Sequence, residues 1–164
     1  MHIKIKPIGV IKNSRASKED DFWGDVVSEI YIDSSYFNNE CLYGLEQFSH
    51  LEVIFYMNQV EQEKIQYGAR HPRNRKDWPL VGIFSQRAKS RPNQIGVSRC
   101  QLLKVEGLKV TVKSLDAINN TPVLDIKPYM VEFGPIGIVA QPDWSKEVMK
   151  NYYKANEQND KSQL

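Results

Sequence analysis

The chain has 164 residues, which is enough for one domain with a buried core and too few for two ordinary domains. Hydrophobic residues make up 41% and charged residues 26%, a composition typical of folded proteins, so a mainly disordered chain is excluded. The 22 Lys and Arg stand against 20 Asp and Glu, so the formal charge is only +2 and any surface that binds nucleic acid must be local.

The N-terminal sequence MHIKIKPIGVIK alternates charge with Ile and has no long apolar run. Neither a signal peptide nor a membrane span is therefore expected, and the predicted location is the cytoplasm. Cys41 and Cys100 show no CxxC spacing, which favours a reducing compartment. None of the three histidines is paired at metal-ligand spacing, so no metal site is expected.

The first third of the chain shows the two-residue alternation of β-strands. We expect strands in HIKIKPIGVI (residues 2–11), VVSEIYID (26–33) and GLEQFSHLEVIFYMNQV (44–60). The third places Leu51, Val53, Phe55 and Met57 on one face. Both of its faces are largely apolar toward its end, so it is predicted to be a central strand.

Three further segments predict the rest of a sheet. WPLVGIFSQR (78–87) is typical of a strand, and PVLDIKPYM (122–130) is typical of another. The segment 96–118 between them predicts a hairpin with its turn at Glu106–Gly107. Strands spaced this closely, with turn residues between them, indicate a mainly β protein with one compact, barrel-like domain and short helices.

The segment PDWSKEVMKNYYKAN (142–156) predicts a C-terminal helix. Asp143 is a candidate N-cap, and Trp144, Val148 and Tyr152 fall on one stripe. The predicted domain covers residues 1–155, and the polar residues 156–164 are expected to form a disordered tail.

Several familiar sites are missing from the sequence. There is no GxGxxG after a strand, no Walker loop and no GxSxG elbow, so a nucleotide-like cofactor would have to bind outside a Rossmann fold.

Six segments, taken in order, resemble the TsaA-like family, whose characterised members are TrmO-type tRNA methyltransferases. They are IGVIKNSR, GLEQFSHLEVIF, RHPRNRKDWPLVGIFSQR, RPNQIGVS, SLDAINNTPVLDIKPY and WSKEVMKNYY. The resemblance implies a small β-barrel, usually dimeric, that binds S-adenosylmethionine. It further implies methyl transfer to N6 of the threonylcarbamoyladenosine beside the anticodon in certain tRNAs. The loop KEDDFWGD is similar to a sister branch that carries an Asp-Asp-aromatic-Trp-Gly sequence, and Asn58 stands where many relatives have histidine.

The resemblance also implies where the cofactor binds. The implied contacts are Asn58, Gln59, Arg87, Val97, Lys113, Ser114, Leu115 and Asp116, and in the altered first loop Asp21, Phe22 and Trp23. A sulfonium cation is favoured near aromatic faces and carboxylate or carbonyl oxygens. No general base is named, because an N–H flanked by a carbonyl is more acidic than a simple amine.

The substrate-binding candidates each have a structural alternative. Lys89, Arg91, Arg73 and Arg75 are candidates for contacts to RNA phosphate, with Trp78 stacking on a base, or they form solvated loops and surface ion pairs. Asn93 either contacts the ligand or caps its own turn. Asp125 either lies in the pocket floor or forms a structural ion pair, and Tyr129 either reaches the acceptor nitrogen or packs.

Three functions stay open at this point. The motif series favours an RNA methyltransferase. The near-neutral charge and the departures at Asn58 and in the first loop favour a methyltransferase acting on a small molecule or protein. A module that binds S-adenosylmethionine without turnover is the third.

Overall fold

The structure, a computed structural model, describes residues 1–156, which form mainly β-structure. The strands are β1 (Gly9–Lys12), β2 (Val27–Ile32), β3 (His50–Tyr56), β4 (Ala69–Arg70), β5 (Val81–Gly82), β6 (Ile95–Glu106), β7 (Lys109–Lys113) and β8 (Pro122–Pro128). One α-helix, α1 (Asp143–Met149), follows them in the described part of the chain. The short 3₁₀ helices are Asn39–Leu42, Leu45–Gln47, Gln62–Lys64, Pro72–Asn74, Ile83–Ser85 and Val131–Phe133.

Six strands form a closed antiparallel barrel in the order β1-β2-β7-β6-β3-β8. The last pairing, between β8 and β1, joins Gly9 to Val123 and Val10 to Pro122. A Cβ atom on Gly9 would lie 2.3 Å from the Tyr31 carbonyl oxygen, so the strand requires glycine where it crosses β2. Closure leaves the barrel without a free edge, and β4 and β5 form a separate two-stranded ribbon.

The barrel interior is filled by the apolar residues of the alternating strands. In β3, Leu51, Val53 and Phe55 are buried, as the sequence pattern predicts. Val110 and Val112 of β7 are fully buried beside them in the same core. The mainly β, barrel-like fold with a C-terminal helix is therefore confirmed.

The predicted fourth strand (78–87) is wrong for most of its length. Only Val81 and Gly82 pair, with the short strand β4, and a 3₁₀ helix follows at once. Six strands already close the barrel, so this apolar segment has no barrel edge to join and leaves Phe84 79% exposed.

The ends of two other predicted strands also differ. Residues 2–8 do not join β1, which begins at Gly9. The hairpin turn lies at residues 107–108, because Glu106 is still paired in β6 and Gly107 adopts the left-handed φ of 58° that the turn needs.

The predicted C-terminal helix is shorter than expected, and its predicted cap is wrong. Asp143 is the first helical residue rather than the N-cap, and its carboxylate pairs with Lys146 at 2.9 Å. The helix ends at Met149 because the following backbone turns to accept hydrogen bonds from the first loop. Of the predicted tail (156–164), all but Asn156 lies outside the described residues.

Candidate functional site

A cavity of about 750 Å³ opens at one end of the barrel. Strand β3 runs antiparallel to β6 and ends where β6 begins, with Tyr56 paired to Ile95. Strand β7 ends at Lys113, opposite Gln101, and the chain then continues along β6 until the Asp116 amide reaches the Ser98 hydroxyl at 3.4 Å. Asn58 after β3, Val97 at the start of β6 and Asp116 after β7 therefore meet at the same barrel end and line the cavity. Binding sites of small molecules typically have about 300–1,000 Å³, so the cavity suits a small-molecule ligand.

Ten of the predicted site residues line this cavity. They are Trp23, Asn58, Gln59, Arg87, Val97 and Asp116 from the cofactor set, and Arg73, Lys89, Arg91 and Asn93 from the substrate set. The fold thus brings residues that are far apart in sequence together around one cavity.

Three predicted cofactor residues belong to the barrel wall instead. Lys113 pairs with Val27 across β7 and β2, and Ser114 donates its hydroxyl to the carbonyl of Gly24 at 2.8 Å. Leu115 is fully buried in the core. None of the three lines the cavity, whereas Asp116, which follows them directly, does.

Three predicted substrate residues also lie away from the cavity lining. Arg75 forms an ion pair with the carboxylate two residues further on. Asp125 pairs with Lys127 at 2.6 Å, and the guanidinium of Arg99 lies 5.0 Å from the ring centre of Tyr129. Each of these contacts corresponds to the structural alternative of the sequence analysis.

The altered first loop is held by the C-terminal segment. The backbone amides of Phe22, Trp23 and Gly24 donate to carbonyls of residues 151, 152 and 154 at 2.8–3.3 Å. A Cβ atom on Gly24 would lie 2.0 Å from the carbonyl oxygen of Tyr153, so this approach requires glycine. Trp23 lines the cavity although it is almost fully buried, and Phe22 contributes its backbone rather than a lining side chain.

An acidic part of the same loop pairs with the predicted phosphate contacts. Arg73 donates to both carboxylate oxygens of Asp21, at 2.9 and 2.7 Å. Lys89 donates to Asp20 at 3.1 Å, and Lys18 donates to the carbonyl of Gln59 at 2.8 Å. Hydrogen bonds to ionised partners are stronger than neutral ones, so these contacts tie the first loop to three other loops at the cavity.

Two side chains that the sequence suggested for contact with RNA, those of Arg91 and Trp78, are directed into the protein. Arg91 is half-buried and donates to the carbonyls of Ile83, at 3.3 Å, and of Gln86. Trp78 is only 6% exposed, and its indole N–H donates to Glu147 at 2.7 Å. The helix α1 therefore covers Trp78, which is not available for stacking on a base.

Asp116 carries the most informative polar atoms of the site. Its Oδ2 accepts a hydrogen bond from the Tyr152 hydroxyl at 2.6 Å, while its buried Oδ1 has no partner among residues 1–156. Burial, followed by the Asp116 charge, raises the pKa of Tyr152 and raises those of Tyr153 and Cys100 to about 12. Buried oxygens are normally paired, so Oδ1 is placed to accept a hydrogen bond from a ligand.

The sequence analysis missed Gln94, which organises the neighbouring loop. Its side-chain amide donates to the carbonyls of Met57 and Val60 and accepts from the hydroxyl of Tyr56 and the amide of Gln62, all at 3.0–3.1 Å. The backbone φ of Gln94 is 52°, a conformation that favours Gly or Asn, so no local pattern indicates this role.

Residues 1–156 contain no group of three His, Cys, Asp or Glu side chains arranged to hold a metal ion. No helix among these residues has the length and apolar character needed to cross a membrane.

Comparison with known proteins places this site in a family context. Residues 13–134 match the tRNA-methyltransferase O N-terminal domain. A probable S-adenosyl-L-methionine-binding protein of Methanothermobacter thermautotrophicus is 33% identical over 141 residues, which cover 84% of this chain and 97% of that protein. The human tRNA (adenine(37)-N6)-methyltransferase is 36% identical over 122 residues, which cover 73% of this chain and only 27% of that enzyme.

A solved structure gives the same relationship. The crystal structure of TrmO from Pseudomonas aeruginosa superposes with a TM-score of 0.71 at 26% identity. The match covers 88% of this chain and 62% of the Pseudomonas chain. The fold, the motif order and the matched residues agree, and the chain belongs to the tRNA-methyltransferase O family through its N-terminal domain.

Proposed function

We propose that this protein is an S-adenosylmethionine-dependent methyltransferase that methylates N6 of the threonylcarbamoyladenosine beside the anticodon of tRNA. The observation that carries the proposal is the cavity at the barrel end, where Asn58, Arg87, Val97 and Asp116 meet in a chain of this family. Proteins of this family are named for S-adenosyl-L-methionine binding and for tRNA adenine N6-methylation, which supports both halves of the proposal.

The residues present fit the cofactor. The unpartnered Oδ1 of Asp116 is available to a hydroxyl or ammonium donor, and Trp23 and Phe55 offer aromatic surface to a sulfonium. Arg87 donates to the carbonyl of Val97 at 2.6 Å and so holds together two edges of the cavity. When bound, S-adenosylmethionine supplies an already activated methyl group.

The contribution of the chain is alignment and exclusion of water. Helix α1 places Trp144 and Val148 against the cavity, and Tyr152 follows them on the same wall. A largely apolar site favours methyl transfer, because it can hold the acceptor nitrogen in line with the donor and limit competing water. Tyr152 stays protonated, since its pKa is raised and its hydroxyl donates to Asp116.

We place the tRNA contacts on the basic residues at the rim, Arg73 and Lys89. These cations are partly neutralised by Asp20 and Asp21, so RNA phosphates would compete with the acidic loop for them. A cytoplasmic location goes with this proposal, and the free thiols of Cys41 and Cys100 agree with a reducing compartment.

A homodimer is part of the proposal. The segment 130–139 between β8 and α1 exposes Val131, Phe133, Ile136 and Ile138 by 74–101%. With Val139 these apolar side chains present on the order of 700 Å², close to the roughly 800 Å² that each partner buries in a standard interface. Because this exposed apolar area is close to what one partner buries in a standard interface, a second copy of the chain is the proposed partner.

The dimer is tested by sedimentation. The double variant Ile136→Asp with Ile138→Asp should sediment as a monomer at concentrations where the native protein is a dimer. Tyr67→Asp, a change at another exposed side chain outside the segment, serves as the control. A native protein that is monomeric at all concentrations would exclude the homodimer.

The catalytic proposal is tested by mass spectrometry of tRNA nucleosides from cells with and without the gene. Loss of N6-methylated threonylcarbamoyladenosine in the deletion strain, restored by the native gene and not by an Asp116→Ala gene, would support it. An unchanged nucleoside profile would exclude this substrate.

A second candidate is a module that binds S-adenosylmethionine without turnover. It is favoured by the relative from Methanothermobacter, which matches over nearly its whole length and is named for binding alone. Cofactor binding by the purified protein with no methylated product from tRNA or small-molecule extract would support that candidate instead.

A further inference from the structure

Arg70 is an arginine of the cavity wall that the described chain leaves without a partner. It ends strand β4, is half-buried and lines the cavity. Its Nε is buried and makes no hydrogen bond, and no carboxylate of residues 1–156 forms an ion pair with it. Burying a polar group without a hydrogen-bond partner costs free energy, and the cost is larger when the group is charged. An anionic ligand group next to Arg70 would remove this cost.

The neighbouring arginines behave differently. Arg73 binds both oxygens of Asp21, and Arg75 forms an ion pair with Asp77. Within one short basic segment, two guanidinium groups are therefore satisfied by the protein and one is not. The presence or absence of a carboxylate partner therefore depends on where each arginine lies in the fold, not on the composition of the segment.

The main chain of Arg70 is held firmly. Arg70 pairs with Val81 in the β4–β5 ribbon. The side-chain amide of Gln86, which is 7% exposed, donates to the carbonyl of Arg70 at 3.0 Å and to that of Val81 at 2.9 Å. These bonds fix the backbone from which the Arg70 side chain extends, so the cavity wall at this position needs little reordering when a ligand binds.

The surroundings of Arg70 are positive. Gln86, which contacts the Arg70 carbonyl, also accepts a hydrogen bond from Arg91 at its own carbonyl. Arg87 directly follows Gln86 in the chain. Neither of these two arginines forms an ion pair with a carboxylate of the described residues. The carboxylates that line the cavity have other partners: Glu19 contacts Arg15, Asp20 contacts Lys89, and Asp116 contacts Tyr152.

We propose that Arg70 binds a carboxylate inside the cavity, the carboxylate of an amino-acid group carried by one of the two ligands. This inference rests on the proposed function, which supplies two such groups: the methionine part of S-adenosylmethionine and the threonyl part of the acceptor nucleoside. The planar guanidinium matches a carboxylate through two parallel hydrogen bonds. RNA phosphates are the less fitting anion for a half-buried group, because Lys89 is exposed at the rim and Arg70 is not.

The test is calorimetric titration with S-adenosylmethionine and with its decarboxylated analogue, which lacks only the carboxylate. Arg70→Met removes the charge and keeps the length of the side chain, and Arg70→Lys keeps the charge without the forked geometry. Arg75→Met is the matched control, because Arg75 has its own ion pair and lies away from the cavity lining. Thermal melting of each variant shows that it is folded.

If the carboxylate belongs to the cofactor, Arg70→Met should weaken S-adenosylmethionine binding by about tenfold or more and leave binding of the decarboxylated analogue unchanged. Arg70→Lys should recover part of the loss. If the carboxylate belongs to the acceptor, cofactor affinity should stay unchanged in Arg70→Met while the KM for tRNA bearing threonylcarbamoyladenosine rises by about tenfold or more.

The outcomes separate this inference from the function on which it rests. A native protein that binds no S-adenosylmethionine overturns the proposed function and the inference together. A native protein that binds and methylates, with the affinity and the KM both unchanged in Arg70→Met, overturns the role of Arg70 alone.

Discussion

Replacing Gln94 by Ala should both destabilise the protein and weaken cofactor binding. Gln94 is 4% exposed, and its amide group makes four hydrogen bonds that join the loop 91–94 to residues 56–62. The bond to Gln62 exchanges readily with water because that residue is exposed. The other three bonds, at about 1 kcal/mol each with a spread of half that, predict a loss of about 2–4 kcal/mol.

The loss is measurable because small domains are stable by only about 5–15 kcal/mol. Urea denaturation should show a lower midpoint with an unchanged slope. Gln101→Ala is the control, since Gln101 is exposed on β6 and should change the free energy of unfolding by less than about 0.5 kcal/mol. Cofactor affinity should fall as well, because the amide holds the segment that carries Asn58 and Gln59. Equal midpoints for Gln94→Ala and Gln101→Ala would refute this reading of the loop.

Three further predictions concern single side chains. Arg87→Ala should weaken S-adenosylmethionine binding by roughly tenfold in calorimetry while the melting temperature stays close to that of the native protein, and unchanged affinity would remove Arg87 from the site. Cofactor binding should change tryptophan fluorescence, because Trp23 and Trp144 line the cavity. Trp23→Phe and Trp144→Phe should each remove part of the signal, and a signal that neither substitution changes would place the ligand elsewhere. Burial raises the pKa of Cys100 to about 12, so at pH 8 its thiolate is scarce and a thiol reagent should modify the exposed Cys41 alone; Cys41→Ser should then be unreactive, and two fast thiols would contradict the buried position.

Local sequence patterns were sufficient to predict which residues of a strand are buried and where two neighbouring strands form a hairpin. The alternation in β3 identified Leu51, Val53 and Phe55 as core residues, and the hairpin of β6 and β7 followed from two apolar runs around a glycine. Period-2 burial depends on backbone geometry that neighbouring residues share, so it can be predicted without knowing the fold.

The residues that line the cavity could be predicted only through the resemblance to a family, and only some of them were named in this way. Asn58, Val97 and Asp116 carry no common local signal, and they meet because antiparallel strands end at one barrel mouth. The resemblance also included Leu115, which is fully buried in the core one residue before Asp116. Leu115 and Asp116 are adjacent, yet one side chain lies in the core and the other lines the cavity. A family motif covers both residues and does not show which of them faces the cavity.

What the amino-acid sequence determined by itself was the class of fold, the approximate positions of the six barrel strands and the motifs of its family. Only the tertiary structure decided which charges are free. Arg73 and Arg70 stand three residues apart, yet Arg73 is neutralised by Asp21 from a loop more than 50 residues away, and Arg70 has no carboxylate partner among the described residues. Ion pairs of this kind depend on distances through space, and residues brought together by barrel closure leave no spacing in the sequence from which such pairs could be predicted.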